Sequence, residues 1–122
     1  MNLSIRFLIG LSAASDNDTH PPTMPVSAPD NGIHSERARR ALSLLSKAYD
    51  GFTSWRGTGA WKGATEPCLV VERIADVGDM TRVLCATERV KAREIARTVA
   101  RALGQESVMV VFQPVEVESV GP

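Results

Sequence analysis

Apolar residues recur along this 122-residue chain with two periods, and the order of those periods limits what it can fold into. Leu3, Ile5, Phe7 and Ile9 alternate, as a half-buried strand does. Between Ser35 and Tyr49 the spacing becomes helical. Ala38, Leu42, Leu45 and Tyr49 share one face, and Arg39, Arg40 and Lys47 fall elsewhere. Ser35 can cap the first turn, Glu36 suits its dipole, and Asp50-Gly51 supplies a left-handed stop. The strand period returns over Phe52–Trp61 and again over Cys68–Ala75. Asp76-Val77-Gly78-Asp79 is a turn signal, and Met80–Ala86 reads as a further strand folding back in a hairpin, or as the start of the next helix. Ala92, Ile95, Ala96, Val99, Ala102 and Leu103 form a second helical stripe within Glu88–Leu103, stopped by Gly104. The valine-dense run Ser107–Phe112 reads as a central strand ended by Pro114.

The order is β-α-β-β-(β)-α-β. One antiparallel-rich sheet with two helices on one face satisfies it, which is the ferredoxin-like α+β plan. The length suits a single domain, 1–122, with a modest core. Within it, 13–33 is rich in Pro, Asp and Ser and reads as a long flexible loop. The helix-free sheet face must be solvated, covered by that loop, or buried on a second subunit, so a homo-oligomer is expected.

Lys and Arg total 14, as do Asp and Glu, so the chain has no net charge and no general nucleic-acid coat is expected. No apolar run reaches the ~20 residues of a membrane helix. Arg6 followed by Phe7–Ser15 has some features of a signal peptide, but the alternation from Leu3 to Ile9 favours a strand. Cys68 and Cys85 are too few for a disulfide scaffold and lack zinc-site spacing, so no metal is expected. Reduced thiols and a cytoplasmic location follow. In one hairpin register the cysteines face each other. In the favoured one, Glu72 pairs with Arg82.

The segment Gly57-Thr58-Gly59-Ala60-Trp61-Lys62-Gly63 sets three glycines around one tryptophan. Glycines within a strand mark a bulge or a close approach by a ligand or another backbone. Trp61 can anchor a pocket or interface, Arg56 and Lys62 can hold an anion, and Trp55 reads as core packing. Arg89, Arg93, Arg97 and Arg101 recur every four residues as a slowly winding basic stripe. That stripe is a solvated surface partly paired with Glu88, Glu94, Glu116 and Glu118, or a surface for phosphates or an acidic protein. Glu66 and Glu106 are conceivable acid/base groups, although each has a local explanation. His20 and His34 lie in or beside the long loop, and no nucleophile triad, phosphate loop or dinucleotide fingerprint is present.

Phe7-Leu8-Ile9-Gly10-Leu11, Asp50-Gly51-Phe52-Thr53, Gly59-Ala60-Trp61-Lys62-Gly63 with Glu66-Pro67, and Gly104-Gln105-Glu106-Ser107-Val108 together carry a resemblance. The chain looks like a broad group of small phage and bacterial α+β proteins, mostly of unknown function. It departs from them in the proline-rich insert and in the length of the turn around Asp76–Ala86. In size and build it is similar to the anti-Thoeris nucleotide-sponge proteins. That resemblance implies a non-enzymatic phage protein in the host cytoplasm that sequesters an anionic small molecule, such as a cyclic nucleotide-like immune signal, without a cofactor. On this chain Trp61, Arg56 and Lys62 would form the pocket, with Arg93 and Arg97 from the same or a neighbouring subunit. The alternatives are an inhibitor that docks the arginine stripe on a host protein, and a small ferredoxin-like enzyme using Glu66 or Glu106.

Overall fold

A computed structural model describes residues 2–12, 33–61, 63–78 and 81–122, except the side chains of 33, 34, 61 and 81. The elements are β1 (Asn2–Gly10), α1 (Ile33–Ala48), β2 (Thr53–Trp61), β3 (Ala64–Asp76), α2 (Thr81–Leu103) and β4 (Met109–Val115). The strands form one sheet in the order β2-β3-β1-β4, and every neighbouring pair is antiparallel. Two helices pack on one face, so the fold is ferredoxin-like α+β. The predicted loop over 13–33 lies outside the described residues except at Ile33, which opens α1.

β1 and β3 are the two inner strands, each paired on both edges, and β1 carries the longest buried alternation. Leu3, Ile5, Phe7 and Ile9 are buried toward the helices. Opposite them stand Val71 and Leu69 of β3 and Phe112 and Val110 of β4. Ala38, Ala41 and Leu45 of α1 close the core, with Ala92, Ala96, Val99 and Leu103 of α2. Small alanines on both helices let them lie close to the sheet and to each other. The strand reading of the N-terminal run therefore holds.

Three sequence expectations are corrected. Thr81–Ala86 is helix, not a returning strand. A strand folding back from β3 would need a free β3 edge, and β1 and β2 occupy both. The buried stripe of α2 in fact runs back to Cys85 and Glu88 at helical spacing. The proposed cross-strand pairings fall with it: Cys68 and Cys85 are free thiols on different layers, and Glu72 pairs with Arg6 instead of Arg82. Second, β4 is an edge strand that runs through Pro114, where a missing N–H is tolerated. Third, Trp55 is not in the core; it is 43% exposed.

The helix ends are built differently. Gly104 takes φ 65°, with Gly104 N–H bonded to Arg101 O and Gln105 N–H to Ala100 O, a Schellman stop. Gly51 takes no such conformation, and Ser35 lies inside α1, not at its cap. Arg37 donates to the Leu103 carbonyl, and the Gln105 amide donates to the Ser12 carbonyl. These two bonds tie the start of α1 and the end of β1 to the end of α2.

Tyr49, just after α1, packs its ring 6.1 Å from Phe7, with Arg73 4.5 Å and Lys91 4.9 Å from the ring centroid. Its buried hydroxyl has no partner among the described residues. Burial, helped by Glu88 and opposed by Arg73, pushes its pKa from 10.0 up to about 12. Folding thus disfavours the phenolate. The stabilising contribution is complete below pH 10 and is lost as pH climbs through about 12. Phenolate absorbance should appear together with unfolding in an alkaline titration. A Tyr49→Phe variant should keep its stability further into that range, as read by denaturant midpoints.

Candidate functional site on the open sheet face

Register assigns every strand residue to a face. Odd residues of β1 meet the helices, so even ones face away, with their direct partners on β3 and β4. One row of this open face runs Trp55–Val70–Leu8–Met109 across all four strands. Leu8, Trp55, Ile74, Met109 and Val111 are all exposed there. An apolar row of this width is unusual for a surface left in water.

Beside this row, two residues further along the strands, lies a floor of glycines. Gly10 of β1 and Gly57 of β2 flank Cys68, and Gly59 stands opposite Glu66. A methyl group added at Gly10 would sit 2.7 Å from Glu66 Oε1 and 2.9 Å from Oε2. The Glu66 side chain can lie down on the sheet only because Gly10 carries none. Its Oε2 is buried and has no hydrogen-bond partner among the described residues. A carboxylate oxygen withdrawn from water in this way calls for a donor or a positive centre that the described residues do not supply. Beside it, burial and then the charge of Glu66 raise the Cys68 pKa, against smaller opposing effects from the Gly57 backbone and Arg56. Both effects disfavour the Cys68 thiolate. Gly63, in the turn between Trp61 and Ala64, takes φ 79° and closes the β2–β3 hairpin.

Further along the face, Arg6 and Glu72 are direct cross-strand partners. Arg6 Nε donates to Glu72 Oε2 at 2.7 Å, and Ser4 Oγ donates to the same oxygen at 2.8 Å. These two bonds hold the Glu72 carboxyl below the usual range.

The predicted pocket residues scatter around this site. Trp61 ends β2; its side chain, and all of Lys62, lie outside the described residues. Arg56 is exposed and belongs to the opposite face, since its partner is the core residue Leu69. Arg93 and Arg97 are exposed on α2, with Arg97 bonded to Glu94 one turn away. Arg89 lies 4.9 Å from the Phe112 ring centroid, so part of the stripe is occupied by packing. Within one chain, α2 and the glycine floor are on opposite sides of the sheet. Glu106 is exposed beyond the end of α2, and His20 lies outside the described residues. Arg6, Ser4 and Glu72 were not legible as a group, because nothing local marks their pairing. Among the described residues no cluster of His, Cys, Asp and Glu could hold a metal, and no helix is long and apolar enough to cross a membrane.

No protein-family profile matches the chain, and no curated protein does. Solved structures do. A phage SAM lyase in complex with S-methyl-5'-thioadenosine aligns with a TM-score of 0.51 at 18% identity, over 92% of this chain and 80% of that one. The apo phage SAM lyase aligns at 0.48 and 17% identity, over 91% and 78%. The de novo designed protein Foldit4 aligns at 0.47 and 12%, over 95% and 100%. At these identities the likeness is one of fold.

Because Glu72 titrates lower in the folded chain than in the unfolded one, its contribution is present above the ordinary value of 4.5 and is lost as pH falls below it. Acid unfolding should begin earlier for Glu72→Gln than for the wild type. The difference between the two should vanish at the most acid end of a pH series of melting temperatures.

Proposed function

We propose that the chain is a phage-type protein that takes S-adenosylmethionine on the open sheet face and cleaves its carbon–sulfur bond, depleting that metabolite in the host cytoplasm. The observation that carries this reading is Glu66, a carboxylate lying on a glycine floor with a buried oxygen that has no partner among the described residues. A carboxylate lying on a glycine floor favours a positive ligand, which is why a sulfonium suits it better than a phosphate. The fold shared with a phage SAM lyase that holds S-methyl-5'-thioadenosine supports the choice of sulfonium.

The chemistry asks little of the protein. The sulfur leaves with the bonding electron pair as a neutral thioether, S-methyl-5'-thioadenosine. The departing four-carbon fragment either loses a proton from the carbon next to the one that bore sulfur, or closes on its own carboxylate. Glu66 is the group placed to accept the proton in the first route. Trp55 and the apolar row offer a surface for the adenine. A second copy of the chain covers that row, so that the ligand is held between subunits in a homo-oligomer.

A second reading keeps the ligand without turnover, as a sponge does. It is favoured by the exposed apolar row beside Glu66, whose side chains offer contact area to a ligand and no acid–base group.

Incubating the purified protein with S-adenosylmethionine and following S-methyl-5'-thioadenosine by mass spectrometry decides between them. Product is expected from the wild type and should fall at least about a hundredfold in Glu66→Gln. Stoichiometric retention in native mass spectrometry with no product would favour the sponge. Neither product nor retention would end both readings.

A further inference from the structure

The open face holds a second charge that neither the glycine floor nor the apolar row explains. Arg6 stands on β1 amid Leu8, Val111 and Ile74, with its side chain 45% exposed. Its Nε is committed to Glu72, and Glu72 is in turn fixed by Ser4, which is itself fully buried. Three residues thus hold one guanidinium in a set orientation. The two terminal nitrogens have no partner among the described residues. A guanidinium anchored through Nε presents its remaining edge as a fork that matches a carboxylate.

We propose that Arg6 is a ligand-binding residue that receives the α-carboxylate of the amino-acid arm, so that the open face recognises a ligand with a positive centre at Glu66 and a negative one at Arg6. The inference rests on the reading of the face as a site for S-adenosylmethionine and adds the group that tells it from its carboxylate-free relatives. The spacing agrees. Glu66 lies over Gly10, four residues from Arg6 on β1, which is about 13 Å of strand. The arm from sulfur to carboxylate is roughly 6 Å long, and a contact of about 3 Å at each end lets it span such a gap. Leu8 and Val70 line the space between. Among the described residues Glu72 takes only the Nε side of the guanidinium, and its outer edge has no partner there.

Calorimetric titration separates this inference from the reading beneath it. The probes are S-adenosylhomocysteine, which keeps the carboxylate arm, and S-methyl-5'-thioadenosine, which lacks it; neither carries the sulfonium that would be cleaved. Arg6→Ala should weaken S-adenosylhomocysteine about tenfold or more and leave S-methyl-5'-thioadenosine unchanged. Arg6→Lys, which keeps the charge but not the fork, should fall between. Circular dichroism melts confirm that the variants fold. Equal loss for both probes, or no loss for either, would overturn the role of Arg6 while the site itself stands. A wild type that binds neither probe would overturn the role of Arg6, and one that also fails to bind S-adenosylmethionine would overturn the site with it.

Discussion

The fold hangs on the double pairing of β1. Its backbone bonds to β3 on one side and β4 on the other, and its odd side chains fill the space beneath both helices. Because the side-chain period of a strand is two, seating Ile5, Phe7 and Ile9 in the core forces Ser4, Arg6, Leu8 and Gly10 onto the other face. The same nine residues therefore set the packing and lay out the candidate site. A slip of one residue would lose both at once.

Most of the element pattern was legible because periodicity reports burial directly. The two helical stripes and the alternation in β1 each bury what their spacing says they should. The misreadings share a cause: they needed knowledge of which strand edges were taken. Valine density in β4 looked central, yet Met109 and Val111 are on a surface. The apolar residues before Glu88 looked like a hairpin because Asp76–Gly78 is a true turn, with Gly78 N–H bonded to Asp76 Oδ1. That turn delivers the chain into a helix.

The site was half legible. The glycines that drew attention were Gly57, Gly59 and Gly63, whereas the tightest approach is at Gly10, where the Glu66 side chain lies. Arg6 and Glu72 are 66 residues apart, and no local rule joins them. The arginines of α2 drew attention because they recur at a fixed interval, but periodic charge on a helix marks its outer side first. Cation–aromatic packing by Arg89 and a one-turn ion pair at Arg97 account for part of that stripe. What distinguishes Arg6 is its setting: it is surrounded by apolar side chains and held by two polar ones.

The bonds from Gln105 to Ser12 and from Arg37 to Leu103 fasten β1 and α1 to the same end of α2. Ser12 and Arg37, described residues on either side of 13–32, are thus held at fixed posts. Closing a longer connection between fixed ends costs only about 0.6 kcal/mol per doubling of length. This makes the junction a natural place for lineages to gain or shed sequence, and for an experimenter to graft a tag or a second domain.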